Sequence, residues 1–326
     1  EKSITKVQLS PDGKTVATAS ADGTVSLWDA STLAQKGVLK GHSSSVFGLD
    51  FSLDGRMIVT TSRDNSIRLW DAATAKEIGV LGDHPVTPYS AGFSPDGKKV
   101  VSVGWRSHPV TKGPVGLIRV WDVETRKMLH SQDYTTHPLS CLTFTPDGRQ
   151  CLIGTWEYQT AFLDMESYKI VREVTPKESS AYKAVDWVDL DPLGGRLLTA
   201  SKDKTAKVFS LETGQELASL AHGGTVTSAR FTDDGKWIVT SSQDGAVRLF
   251  DAKSLLTMAV LQAHGQPINC VAVTPDGSRA FSGDVTGKVC VWDTSRPEAI
   301  SPSIQNAGAW SCVFSPDGRR IAQGTN

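Results

Sequence analysis

Short runs in which apolar and polar residues alternate recur along the whole chain. VFGLDF (46–51), MIVTTS (57–62) and SIRLWD (66–71) are followed by a fourth run, EIGVL (77–81). Alternation with period two, rich in β-branched residues and punctuated by Gly, Asp and Asn, predicts β-strands, four to a set. A four-residue turn of the form S/T-P-D-G separates the first run of each set from the second. It stands at Ser10, Ser52, Ser94, Thr145, Asp191, Thr232, Thr274 and Ser315. Counted from the second residue of each turn, the spacings are 42, 42, 51, 46, 41, 42 and 41 residues. Repetition with a period near 42 predicts an all-β array of four-stranded antiparallel sheets. A sheet with two apolar faces cannot bury both alone, so successive sheets must stack, and radial stacking closes them into a ring. The repeats span about 4–39, 44–81, 87–132, 138–174, 182–220, 225–261 and 267–304, with half a repeat at 308–326.

Composition narrows the partners without altering the fold. Thirty-four Lys and Arg balance thirty-five Asp and Glu over 326 residues, a formal net charge of −1. Without a basic excess or a long run of one sign, a nucleic-acid backbone is not the expected ligand. No apolar stretch approaches the roughly 20 residues of a membrane helix, so the chain reads as soluble; the compartment expected for it is the cytoplasm. The five cysteines (141, 151, 270, 290 and 312) are scattered in strand-like runs with no C-x-x-C pair, and read as small buried apolar residues. Glu1 is not an initiator methionine, and the natural N-terminus is expected to lie upstream.

Trp28-Asp29, Trp70-Asp71, Trp121-Asp122 and Trp292-Asp293 end the third strand of their repeats, and Gly41-His42 precedes a first strand. On these residues the whole chain resembles the WD-repeat β-propeller family. The resemblance implies a hydrogen-bonded structural relay, complete in the second repeat as Trp70, Ser62, His42 and Asp64. The indole needs an acceptor, the hydroxyl passes a hydrogen on, and a carboxylate orients the imidazole. Ser, His and Asp also suggest hydrolytic catalysis. However, Ser62-Asp64 is echoed by Ser20-Asp22, Ser201-Asp203 and Ser242-Asp244, and a motif repeated at a fixed place is architecture rather than a nucleophile. Elsewhere the pattern departs. Leu163, Phe209 and Phe250 stand where Trp is expected, Glu157 and Thr286 take the place of the acid, and His137 is two residues out of register.

The relay acid lies ten residues after the third turn position, as Asp54 and Asp64 show; counted from Asp317, that place falls just beyond Asn326. The expectation is a ring of eight blades, the last incomplete in this chain. The alternative is a closed ring of seven with an overhang.

No metal-ligating cluster, phosphate loop or dinucleotide fingerprint is legible, so neither catalysis nor a cofactor is expected. The resemblance places function on the face formed by the loops before the first strand and between the second and third. The resemblance implies that Phe47, Tyr89 and Trp310, at the later of the two positions flanking the first-strand valine, face that rim, as do Arg63 and Trp156 at the residue before the relay acid. WRSHPVTKGPV (105–115) inserts nine residues in the third repeat and reads as a projecting loop that carries Trp105, Arg106, His108 and Lys112. TPKESSAYK (175–183), before the fifth repeat, reads as solvated. The function expected is a non-catalytic scaffold that binds a protein or peptide on this aromatic rim. The alternatives are a sensing or autoinhibitory domain that contacts other domains of its own polypeptide, and a propeller enzyme, for which the chain offers no residues.

Overall fold

A computed structural model describes residues 4–29, 34–107, 114–134, 137–156, 159–175, 184–232, 234–262, 264–273, 278–284, 288–294, 304–305, 309–314 and 321–325. Among these residues every regular element is a β-strand. The strands form seven four-stranded antiparallel sheets and one two-stranded sheet, each in plain sequence order.

The chain divides into two compact units, Glu1–Glu173 and Val174–Asn326. The first contains four sheets. Their first strands are Ile4–Leu9, Val46–Phe51, Pro88–Phe93 and Leu139–Phe144. The second contains sheets that start at Val185–Leu190, Val226–Phe231 and Ile268–Val273, and the pair Ala309–Phe314 with Ile321–Thr325.

The second strand shows why these sheets must be stacked. Along Met57–Ser62 every residue after Met57 is buried, as expected of a strand covered on both faces. Ile58 packs with Ala17, Leu27 and Leu39 of the first sheet, whereas Val59 packs with Phe93, Val100 and Trp121 of the third. Val101 and Ile118 pack in turn against Leu139, Ile153 and Leu163 of the fourth sheet. In the second unit Leu198 and Val208 meet Val226 and Ile238, and Val239 and Leu249 meet Ile268 and Trp292. The fourth strand lies at a sheet edge, and in Glu216–Ala221 burial alternates with exposure.

The S/T-P-D-G turns are closed by their own side chains. Ser52 donates to Asp54 at 2.6 Å, Asp54 accepts the Arg56 N–H at 3.0 Å, and the Ser52 hydroxyl accepts the Met57 N–H at 2.9 Å. Gly55 completes the turn at φ +71°, where a side chain would be strained. The same bonds recur at Ser94, Thr145 and Thr232. At the variant turn Asp191, the carboxylate substitutes for the hydroxyl and accepts from Leu193 N–H and Arg196 Nε.

Much of the insertion in the third repeat is strand rather than projecting loop. Lys99–Ser107 and Pro114–Asp122 are nine residues each and pair without interruption from Lys99↔Asp122 to Ser107↔Pro114. Trp105 and Arg106 therefore sit on a ladder, opposite Gly116 and Val115. His108, Lys112 and residues 176–183 lie outside the described residues.

Candidate functional site

The relay of the second sheet exists, with a different hydroxyl from the one expected. Trp70 Nε1 donates to Thr60 Oγ1 at 2.8 Å, and Thr60 Oγ1 is 2.7 Å from His42 Nε2. His42 Nδ1 lies 2.9 Å from Asp64 Oδ2. An indole N–H can only donate, so the Thr60 oxygen accepts from it and passes its own hydrogen to Nε2; that leaves Nδ1–H for the carboxylate. Ser62 is corrected out of the relay. Side chains on one strand face recur every second residue, and Trp70 pairs with Ile58, so the hydroxyl beside the indole is the one at 60. Ser62, at the strand end, donates to Ser44 O at 2.9 Å and accepts the Asp64 N–H at 3.1 Å.

The same rule locates hydroxyls that the motif reading missed. Trp28 donates to Thr18, Trp121 to Ser102 and Trp292 to Ser282, each at 2.9 Å. The signal was present: Thr18, Thr60 and Ser102 are spaced by 42 residues, as are Thr240 and Ser282. The seventh sheet also retains its acid. His264 Nδ1 lies 3.0 Å from Asp284 Oδ2, and Nε2 lies 2.7 Å from Ser282. The carboxylate comes from two residues before Thr286, which lies outside the described residues, as does Glu157.

Two histidines, His84 and His222, make no hydrogen bond to a carboxylate among the described residues. His84 Nδ1 faces Val86 O at 2.8 Å while its buried Nε2 has no partner, and burial pushes its pKa down to about 4. His222 bonds Leu220 O and Thr240, while Arg248 takes Asp244 at 2.8 Å. Burial opposes the Asp64 charge, yet hydrogen bonds from Ser66, Ser43 and His42 hold its pKa well below the usual carboxylate range.

The position shared by Phe47 and Tyr89 has a structural definition that no motif contains. In every first strand the ladder skips one residue: Val46 pairs with Ser62 and Gly48 with Thr61, so Phe47 is left in a β-bulge. Equivalent skips leave Thr5, Tyr89, Ser140, Asp186, Thr227, Asn269 and Trp310. A bulge re-aims the side chain it carries. Where that residue is threonine it links adjacent sheets, with Thr5 donating to Val46 O and Thr227 to Ile268 O, the latter at 3.0 Å. Where consecutive bulges are aromatic they stack: the Phe47 and Tyr89 rings lie 5.4 Å apart at 14°. Gly48, next to the bulge, leaves no room for a side chain, since a Cβ there would lie 2.4 Å from Thr61 Oγ1 and 3.2 Å from Ala91 N.

Trp105 and Trp156 form a second pair, with centroids 6.4 Å apart at 47°. Trp156 is 42% exposed; the Trp105 indole nitrogen is buried with no hydrogen-bond partner. The third sheet contributes one ring to each pair, Tyr89 and Trp105. Arg63 follows Ser62, its backbone N–H bonded to Ser45 O at 2.9 Å, and its side chain is exposed. The Arg106 and Trp310 side chains lie outside the described residues. Of the cysteines, Cys151 and Cys290 are buried and Cys141 half-buried, and burial pushes the Cys151 thiol up. Among the described residues no three metal-ligating side chains gather, and no helix is long and apolar enough to cross a membrane.

The profile of the WD domain, G-beta repeat, matches residues 1–29, 33–71, 214–251 and 256–293. WD repeat-containing protein 18 of Rattus norvegicus is 25% identical over 214 residues, 59% of this chain and 49% of that protein. The guanine nucleotide-binding protein subunit beta of Arabidopsis thaliana is 26% identical over 172 residues, 50% of this chain and 46% of that protein. Apoptotic protease-activating factor 1 of Homo sapiens is 29% identical over 136 residues, 39% of this chain and 11% of that protein. The chain thus spans less than half the length of each of these relatives. Taken with the repeated four-stranded sheets and their Trp–hydroxyl–His bonds, these matches show that the chain carries WD repeats similar to those of the WD-repeat family.

Proposed function

We propose that this chain is a non-catalytic protein-interaction module that docks a protein or peptide on the rim formed by Phe47, Tyr89, Trp105 and Trp156, with Arg63 beside it. The observation that carries the reading is the stack of Phe47 on Tyr89 at successive bulges. A bulge aromatic is not needed for the core, since threonine, serine, aspartate and asparagine occupy the same place in other sheets. Aromatic side chains that keep part of their surface in water, next to an arginine, have the composition of interface anchors. The relay and the turns hold this surface rigid, so a partner loses little entropy in ordering it.

The test is affinity capture with the wild-type chain and with Phe47→Ala and Tyr89→Ala, read by mass spectrometry beside thermal unfolding. Partners retained by wild type and lost from both variants, with the unfolding temperature nearly unchanged, are the expected result. A large fall in unfolding temperature would mark these rings as core and end the reading.

A second reading, regulation within a longer polypeptide, is favoured by one observation. The matches to apoptotic protease-activating factor 1 in Homo sapiens, Danio rerio and Rattus norvegicus occupy 11%, 10% and 17% of those proteins. On this reading the rim contacts another domain of its own chain. Cross-linking at Phe47 in the full-length protein would then give an intramolecular product.

A further inference from the structure

We propose that the rim recognises an acidic peptide, with a ligand carboxylate held by Arg63 and an adjacent apolar side chain laid on the Phe47–Tyr89 stack. The inference rests on the rim being the docking face and narrows its ligand to one chemistry.

It comes from comparing one slot in two sheets. The residue after the second strand is tied back by its N–H to the residue two places before the bulge. Arg63 bonds Ser45 O at 2.9 Å, Trp156 bonds Pro138 O at 3.0 Å and Lys202 bonds Ala184 O at 3.1 Å. A side chain in this slot is therefore within reach of the bulge side chain of the same sheet. The fifth sheet uses that geometry for an ion pair: Lys202 Nζ lies 3.9 Å from the bulge residue Asp186. The second sheet keeps the cation and lacks the acid, because its bulge residue is Phe47. Arg63 is exposed and makes no ion pair among the described residues.

The carboxylates of the neighbouring turns are already engaged. Asp64 accepts from the Ser43 and Ser66 N–H groups, the Ser66 hydroxyl and His42. Asp22 accepts the N–H and hydroxyl of Thr24. The second sheet thus presents a guanidinium with its donors unspent beside a flat apolar surface. A planar guanidinium binds a carboxylate through two parallel hydrogen bonds, and apolar surroundings strengthen the attraction. A ligand carboxylate would serve Arg63 as Asp186 serves Lys202. Since the chain as a whole carries −1, this preference is local and does not extend to polyanions in general.

Selection of random linear peptides on the 326-residue chain, followed by anisotropy titration of the enriched peptides, tests the inference. The expected winners place Asp or Glu within a few positions of Phe, Tyr, Trp or Leu. Arg63→Glu should weaken them by about tenfold or more, while selection on that variant should yield basic peptides in the same apolar context. Winners that depend on Phe47 and Tyr89 but show no acidic preference and ignore Arg63→Glu would overturn this inference and leave the rim reading intact. Winners indifferent to Phe47→Ala and Tyr89→Ala, or none above background, would overturn both.

Discussion

Thr60 stands between the indole of Trp70 and the imidazole of His42, 2.8 Å from Nε1 of one and 2.7 Å from Nε2 of the other. All three side chains are buried, so removing the hydroxyl leaves two polar groups without partners. Thr60→Val preserves shape and should lower unfolding stability by about 1–3 kcal/mol. Ser62→Ala, which loses two bonds to the backbone of the half-buried Ser44 and Asp64, should cost about 1 kcal/mol or less. Urea titration of the two variants checks the order; a costlier Ser62 would return that residue to the relay.

Asp284 gives the seventh sheet a test of the same kind. Its carboxylate is 1% exposed and lies 3.0 Å from His264. Asp284→Ala should destabilise by about 1–3 kcal/mol, whereas Thr286→Ala, at the place the motif reserves for the acid, should be close to neutral.

His84 predicts acid sensitivity. Its folded pKa of about 4 lies below the ordinary 6.5 because burial disfavours the imidazolium. Between those values the unfolded chain binds the extra proton, so this contribution is complete above pH 6.5 and is lost as the pH falls towards 4. His84→Leu should flatten the fall in stability over this window by on the order of 2 kcal/mol. A series of urea midpoints from pH 7 downwards measures it.

Asp50 has the opposite sign. Its carboxylate accepts the Phe93 N–H at 3.1 Å, and burial raises its pKa from 3.8 to about 6. The folded chain then holds the proton more tightly, so stability from this group is present below pH 3.8 and is lost as the pH rises through 6. Asp50→Asn keeps an acceptor for Phe93 and should stabilise the protein at neutral pH by on the order of 1 kcal/mol, with no gain in acid. That is less than the whole shift, because the side chain is only half-buried. Thermal unfolding of both proteins at pH 7.5 and pH 3.5 separates the two cases.

The sequence alone determined the repeat, its turns and its strands, because these rest on local chemistry. Period-two alternation selects strands, and Ser52, Asp54 and Gly55 close their turn within four residues. The family resemblance carried the expectation that Phe47 and Tyr89 hold matching places in successive repeats, and their rings stack. Tertiary structure decided which hydroxyl joins Trp70 to His42, since Thr60 and Ser62 lie on the same strand face and only the register with Trp70 distinguishes them. It decided that Asp284 could replace a missing turn acid, because the fold brings its carboxylate to 3.0 Å from the buried His264 imidazole. It converted both ends of the insertion in the third repeat, 105–107 and 114–115, into ladder. It also left Arg63 without the acid that Lys202 has, since the bulge residue is Phe47 in the one sheet and Asp186, 3.9 Å from Lys202, in the other. Each of these outcomes depends on which side chains meet across strands, and alternation along a single strand carries no record of its neighbour's register.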